Sequence, residues 1–303
     1  MNRPEPGSAA GERLTSPLDL LNLAMLAALL VITLFTLGEA PSNWSLLVAF
    51  AAMAGLLLLY PRTSFRRVDA PRRFRQGYPL AYTAVIFDSL GRVIPHVNHW
   101  RADDFLMRVD RLLLGVDPTF YLQRFVWGAA VEVLFYAYLL YFFLPFLLLF
   151  GLWRAGKIEP IFNWASILII ALYSNYLLYM VVPAMGPYLH VDHPVPLDGV
   201  LFYRPLRAGL RWLESNSFDV FPSAHVNAAL VTLYGFARFH RRHVGAAAVA
   251  VAAIALSTVY LRYHYVIDVV AGAALAGLSI WAGERYYRWW VSRVRGAGPQ
   301  EGG

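Results

Sequence analysis

Long apolar runs follow one another along most of the chain, and short polar stretches separate them. Each run is close to the ~20 residues that a helix needs to cross the hydrocarbon core of a bilayer. This pattern is typical of a polytopic membrane protein and predicts an all-α helical bundle. The predicted spans are residues 18–37, 44–60, 126–152, 163–183, 221–239, 246–262 and 265–283.

An eighth segment, residues 78–96, is long enough to span but carries Asp88 and Arg92. Arginine-rich loops mark the cytoplasmic side of membrane proteins. If every such loop is cytoplasmic, parity requires one crossing between the first of them and residue 126. Residues 78–96 are the natural candidate, which makes eight spans with both termini inside. The arginine-rich segments are residues 61–76, 154–157, 238–243 and 285–295.

The segment between the predicted N-terminal spans and the C-terminal spans has an amphipathic pattern. In residues 100–125, the apolar side chains Phe105, Leu106, Val109, Leu112 and Leu113 share one helical face, with most charges elsewhere. This pattern predicts an interfacial helix. The expected organisation is a disordered cytoplasmic tail (1–16), an N-terminal hairpin with interfacial and spanning segments (17–125), a catalytic membrane core (126–290) and a disordered C-terminal tail (291–303).

The composition supports this class and excludes others. The chain is 58% hydrophobic and 15% charged, whereas roughly a quarter of a soluble domain is charged. The net charge of +7 is explained by cytoplasmic loops, so no nucleic-acid partner is expected. No obligate protein partner is evident. The chain has no cysteine, which excludes disulfides, thiolate metal sites and cysteine nucleophiles.

Three polar clusters fall on the same predicted outer side: "VVPAMGPYLHVDH" (181–193), "FDVFPSAHVNAA" (218–229) and "STVYLRYHYVIDVVAG" (257–272). His264 and Asp268 are four residues apart and so are neighbours on a helix. A carboxylate that accepts one ring N–H leaves the other nitrogen as a nucleophile or base. Ser257 lies two turns earlier on that face and Arg262 lies on another face; both are candidate phosphate ligands. Taken alone, the pair could equally be a structural contact.

The second cluster has the features of a phosphate site. Pro222 suits the first turn of a helix, where Ser223 and free N–H groups can bind an anion. His225, in the same turn, can give or take a proton. Alone, this stretch could be an ordinary helix start. Two histidines, a carboxylate and a helix N-terminus on one membrane face are harder to explain as packing.

The "FPSAH" and "STVYLRYHYVIDVVAG" stretches resemble the second and third signature motifs of the type 2 phosphatidic acid phosphatase superfamily. The resemblance covers about the last 180 residues and implies a six-helix phosphatase-like core. With "VVPAMGPY" upstream, the chain is similar to the branch of inositol phosphorylceramide synthases. The resemblance implies that His264 is a nucleophile that forms phosphohistidine and that Asp268 orients it. It also implies that His225 protonates the leaving group and that Ser223 binds phosphate.

Two departures from that family leave the cationic phosphate ligands open. Its first motif places a lysine seven residues before Arg-Pro, but Leu197 occupies that place before Arg204-Pro205, and Lys157 is the only lysine. In the synthase-like branch "PAMGPY" occupies this region, which makes Tyr188 a candidate ligand. The third motif opens Ser257-Thr258 instead of Ser-Arg. The arginines that could replace the missing charge are Arg262, Arg204, Arg207 and Arg211.

The sequence therefore predicts a membrane phosphoryl-transfer enzyme that acts on a lipid phosphate or phosphodiester and passes the group to a lipid or polyol hydroxyl. Water as acceptor would make it a lipid phosphatase. The chain lacks a carboxylate cluster suited to two metals, so no metal and no cofactor are expected. The expected location is the bacterial inner membrane, with the site facing the periplasm. A channel or transporter is the alternative of another class, disfavoured because the polar residues gather at one face.

Overall fold

The structure, a computed structural model, describes residues 16–59, 78–213 and 216–296. Within these ranges the chain is helical and contains no strand, which confirms the predicted all-α class. Most of both predicted tails and the basic loop at 61–76 lie outside the described residues. The α-helices are α1 (Pro17–Thr36), α2 (Trp44–Leu59), α3 (Tyr78–Val97), α4 (Asp103–Leu114), α5 (Pro118–Leu122), α6 (Gly128–Arg154), α7 (Ile158–Val181), α8 (Pro187–His190), α9 (Tyr203–Leu213), α10 (Ala224–Phe239), α11 (Val244–Tyr260) and α12 (Val266–Gly296).

Six helical segments in the described ranges are long and apolar enough to cross a membrane. They are Pro17–Thr36, Pro41–Leu59, Gly128–Arg154, Ile158–Val181, Arg241–Tyr260 and Val266–Arg293. The protein is therefore an integral membrane protein, as predicted. Helix α10 has only 16 residues, and α3 is less apolar because of its charged residues. The exact count of eight spans stays a prediction.

Helix α3 nevertheless runs from one end of the bundle to the other. At its start, the Tyr78 hydroxyl donates a hydrogen bond of 2.7 Å to Asp19, in the first turn of α1. Just beyond its end, the Asn98 side chain donates to the carbonyl of Val181, the last residue of α7 (2.9 Å). The 78–96 segment thus lies along the bundle and not across its surface.

Helix α10 lies at the centre of the C-terminal bundle and packs against α6, α7, α11 and α12. The packing is close at Gly235, where a Cβ atom would lie 2.4 Å from the Leu148 side chain and 2.7 Å from Trp164. Helices α6, α10 and α12 begin, and α7 and α11 end, at the same end of this bundle, which we call the polar end. The basic segments 154–157 and 238–243 lie at the opposite end.

The amphipathic helix α4 exposes most of its apolar side chains and packs on the protein through another face. Phe105, Leu112 and Leu113 are exposed, as a lipid-facing interfacial helix requires. The face that packs on the protein consists of Leu106 with two buried carboxylates, Asp103 and Asp110. Asp103 lies off the apolar face, as the pattern predicts, and its carboxylate accepts hydrogen bonds inside the protein.

Candidate functional site

Three segments meet at the polar end of the bundle and bring two histidines into contact. His225 lies in the first turn of α10, and His264 lies in the turn between α11 and α12. The Nδ1 atom of His225 is 3.1 Å from the Nε2 atom of His264, which is a hydrogen bond between the rings. Both side chains are buried. The two sequence motifs, 39 residues apart, thus form one site.

Asp268 lies behind His264, in the first turn of α12. One of its oxygens accepts a hydrogen bond from the Tyr265 N–H (2.8 Å) and lies 3.4 Å from Nδ1 of His264. A proton on Nδ1 is favoured by this carboxylate, so Nε2 keeps its lone pair. The hydrogen bond between the rings then has His225 Nδ1 as donor and His264 Nε2 as acceptor.

Burial determines the protonation states of the titratable side chains in and near this turn. Desolvation lowers the pKa of His264 to about 4, so its imidazole is neutral at pH 7. Desolvation also raises the pKa of Asp219, which lies in the loop before α10 and lines the same cavity as the histidines. Each shift favours the uncharged form, since the site is screened from water.

Ser223 joins the two motifs through its backbone and caps α10. Its N–H donates to the Asp268 carbonyl (3.0 Å), and its hydroxyl accepts from the N–H of Val226 (3.4 Å). Gly272 makes this approach possible, because a Cβ atom there would lie 2.5 Å from the Ser223 carbonyl oxygen. The glycine that ends the third motif is therefore required by the packing of α12 against the start of α10.

The imidazole of His225 is held between two aromatic rings of α6. Its centroid lies 4.6 Å from that of Tyr138 and 4.3 Å from that of Tyr141. The loop that precedes it is fixed by two buried amides: Asn175 donates to the Pro222 carbonyl (2.7 Å), and Asn227 donates to the Asn175 side chain (2.6 Å). His225, at the start of α10, is thus positioned by α6 and α7.

The "PAMGPY" stretch packs directly on the turn that carries His264. Gly186 has a φ of 80°, and a Cβ atom there would lie 2.5 Å from the Tyr263 carbonyl oxygen, so only glycine fits without movement. Two residues later, the Tyr188 N–H donates to the Arg262 carbonyl (2.7 Å). This contact places the Tyr188 ring beside the histidine pair.

A cavity of about 230 Å³ opens beside the two histidines. Its polar wall includes both imidazoles, Tyr188, Arg207, Arg211 and Asp219. The Arg207 guanidinium stacks 4.0 Å above the Tyr188 ring, which fixes its orientation. Within the described ranges, no group of three histidine, aspartate or glutamate side chains could hold a metal ion.

The structure separates the predicted phosphate-binding residues. Tyr188 lines the cavity, whereas Ser223 is buried and caps a helix. The Ser257 hydroxyl is buried and donates to the Ile254 carbonyl (2.7 Å). Arg204 is exposed and pairs with Asp198 (2.8 Å from Nε). Arg262, with a φ of 66° and a side chain that is 4% exposed, lies outside the cavity wall.

Helix α4 contributes two positioning residues that the sequence pattern did not reveal. Asp103 accepts hydrogen bonds from the N–H groups of Met185 (3.0 Å) and Gly186 (2.8 Å) and from the Tyr265 hydroxyl (3.1 Å). Asp110 accepts from the first two N–H groups of α12, at 2.7 and 2.8 Å. The spacing of seven, which places both carboxylates on one helical face, was the signal available.

Comparison with known proteins identifies this architecture. The sequence model of the PAP2 superfamily matches residues 104–282, which include α4 from its second residue, both histidines and Asp268. A PA-phosphatase related-family protein of Dictyostelium discoideum is 24% identical over 191 residues, which is 56% of this chain and 31% of that protein. The chain thus matches less than a third of the length of this relative. No solved structure matches the chain.

Proposed function

The chain belongs to the PAP2 superfamily, and we propose that it is a membrane enzyme that transfers a phosphoryl group from a lipid through a phosphohistidine. The substrate we propose is a lipid phosphate or phosphodiester. The observation that carries the proposal is the contact of His225 with His264 at the wall of a cavity, with Asp268 behind His264. A nucleophile, its orienting carboxylate and a second proton carrier are thereby adjacent.

In the first step, the hydrogen bond between the two rings opens, Nε2 of His264 attacks phosphorus, and the bond between phosphorus and the leaving oxygen breaks. The neutral imidazole is the reactive form, and burial keeps it neutral. Asp268 stabilises the positive charge that develops on the ring. His225 gives a proton to the leaving oxygen, because the charge of the bound phosphate favours its protonated form.

In the second step, a hydroxyl attacks the phosphohistidine and the bond between phosphorus and nitrogen breaks. His225 takes the proton of the attacking hydroxyl and so returns to its starting state. His264 is regenerated with its lone pair. The cycle needs positioning and charge neutralisation, and none of its steps requires a metal ion, so we propose metal independence. Full activity in a chelator would support this, and activity restored by a divalent ion would refute it.

Arg207 is the cation that we propose for the phosphate. It lines the cavity with both histidines and is oriented by Tyr188. Arg204 is engaged by Asp198, and the Arg262 side chain lies outside the cavity wall. Arg207 therefore supplies the positive charge that the first motif and the third-motif arginine of the family would provide. Arg211 lies in the same wall.

The acceptor that we propose is a lipid or polyol hydroxyl, as in inositol phosphorylceramide synthases. Support for this choice is the pair "VVPAMGPY" and "STVYLRYHYVIDVVAG", whose mutual packing at Gly186 and Tyr263 builds the cavity wall. The second candidate is hydrolysis of a lipid phosphate. The description of the Dictyostelium relative as PA-phosphatase related favours that candidate.

We propose that the polar end faces the extracytoplasmic side. Support comes from the basic segments 154–157 and 238–243, which lie at the opposite end of the bundle, where the positive-inside rule predicts the cytoplasm. Accessibility of the polar end to a membrane-impermeant label in intact cells would test this orientation.

One experiment separates transfer from hydrolysis. Purified protein in vesicles is given phosphatidic acid, a polyprenyl phosphate, or a phosphodiester lipid with a lipid acceptor, and the products are free phosphate or a new phosphodiester. We expect a new phosphodiester and, on His264, a phosphohistidine that still carries the headgroup of the donor lipid and that mass spectrometry detects. His264→Gln should abolish both signals, whereas His243→Gln, at the opposite end of the bundle, should retain them. Unchanged turnover in His264→Gln would refute the mechanism, and free phosphate alone would favour the phosphatase.

A further inference from the structure

Helix α9 is strongly amphipathic: its charged side chains and its exposed apolar side chains lie on different faces. Its arginines, Arg204, Arg207 and Arg211, are spaced by three and four residues and so share one face. The opposite face carries no charge. Leu206 and Trp212 on that side are 41% and 85% exposed, so the protein itself does not cover this face.

The three residues before α9 extend the apolar surface. Val200, Leu201 and Phe202 are 64%, 73% and 59% exposed. Their backbone is nevertheless fixed, because the buried Glu132 carboxylate accepts their N–H groups at 3.0, 3.1 and 2.8 Å. An ordered backbone with exposed apolar side chains is a built surface and needs an apolar partner.

The position at which residues 200–202 are held indicates what the apolar partner is. Glu132 lies in the second turn of α6, a helix that is long and apolar enough to cross the membrane. The start of such a helix lies at the boundary between headgroups and acyl chains. The exposed Trp127, immediately before α6, is typical of that boundary. The apolar surface of residues 200–212 is thus attached to the protein at the level where α6 enters the membrane boundary.

We propose that residues 200–212 bind the surface of the phospholipid bilayer as an interfacial anchor. The apolar face enters the boundary region to a depth of ~5–10 Å. The arginine face lies at the level of the lipid phosphates, which its charge complements. Arg207 and Arg211 belong both to this face and to the cavity wall, so the anchor holds the cavity opening at headgroup level. The proposal concerns membrane contact and does not depend on the phosphohistidine chemistry.

The absence of native cysteine makes a direct test possible. Single variants Leu206→Cys, Trp212→Cys and Leu201→Cys receive a spin label, and Arg204→Cys, on the arginine face, is the matched control. The full-length protein is reconstituted in vesicles of phosphatidylcholine and phosphatidylglycerol. Collision of each label with oxygen, which concentrates in the acyl region, is compared with collision with a water-soluble nickel chelate.

We expect the labels at residues 201, 206 and 212 to favour oxygen over the chelate, with a depth of ~5–10 Å, and the label at residue 204 to favour the chelate. Equal access of the chelate to all four positions would overturn the proposal. Shielding from both reagents would indicate a protein partner and would also overturn it. Three apolar positions keep the test decisive if one variant does not fold. A correctly immersed label in an inactive protein would count against the proposed function alone.

Discussion

Removal of the Asp103 carboxylate tests whether α4 positions the site. Asp103 is 1% exposed, and it receives hydrogen bonds from Met185, Gly186 and Tyr265. The variant Asp103→Ala leaves three buried donors without an acceptor, and each such donor costs about 1–3 kcal/mol. The loop can partly open to water, so we expect a loss of about 3–5 kcal/mol in the free energy of unfolding, at the lower end of the sum.

The effect on catalysis should be separable from the effect on folding. Tyr188 and His264 are held by the segments that Asp103 joins, and a displacement of about 1 Å in a site can lower the rate about 10²-fold. We therefore expect kcat to fall about 10²-fold in Asp103→Ala below its melting temperature. Asp103→Asn retains one acceptor oxygen and should recover most of the stability and most of kcat.

Asp104→Ala is the matched control. Asp104 is the next residue on the helix and is exposed. Within the described residues, its side chain forms a hydrogen bond only with His190. Thermal unfolding in detergent and turnover of the phosphodiester substrate measure the two effects for all three variants. Equal behaviour of Asp103→Ala and Asp104→Ala, in stability and in kcat, would refute the positioning role.

Three further predictions concern the site itself. The pKa of His264 lies at about 4, below its ordinary value, so the neutral nucleophile is lost only as pH falls through about 4. We therefore expect kcat/KM to fall near pH 4 when it is measured on a phosphodiester, which does not titrate in this range. A fall near pH 6.5 would contradict this. Arg207→Ala should lower kcat/KM by about 10²–10³-fold, as loss of a charge-stabilising donor does, whereas Arg204→Ala should leave it within a few-fold; the reverse order in a steady-state assay would assign the phosphate to Arg204. Gly272→Ala should destabilise the protein by about 1–3 kcal/mol, because the new Cβ would meet the Ser223 carbonyl. Gly277 has open space around it, so Gly277→Ala should stabilise the protein by up to about 1 kcal/mol. Equal melting temperatures of the two variants would refute the close approach at Gly272.

Much of the fold could be predicted because the membrane imposes a local rule. A backbone in hydrocarbon must satisfy its own hydrogen bonds, so an apolar run of the right length becomes a helix almost regardless of its neighbours. Helices α6, α7, α11 and α12 follow this rule. Helix α10 is the instructive exception: its helix is shorter than the apolar run, because Ser223 and His225 at its start belong to the site and not to the lipid.

The partners inside the site could be predicted only where they are close in sequence. His264 and Asp268 are four residues apart, and the structure places them 3.4 Å from each other. The contact of His225 with His264 depends on how α10 packs against α12, and Gly272 permits that packing without any periodic signal. The sequence pattern did not reveal the contacts of Asp103 for the same reason, because a carboxylate on an amphipathic helix is polar in sequence whether it faces water or accepts hydrogen bonds inside the protein.

The arginines show most clearly which properties the sequence specifies and which depend on the tertiary structure. The sequence by itself determined that this is a helical membrane protein with two histidine motifs at one face, since hydropathy and short-range spacing are local properties. It left Arg204, Arg207, Arg211 and Arg262 equivalent, because charge and approximate position are all that a sequence specifies. Only the tertiary structure gives them different surroundings, because these depend on how distant segments pack. Arg262 is buried at a φ of 66°, Arg204 pairs with Asp198, and Arg207 lies over the Tyr188 ring in the wall of the cavity that both histidines line.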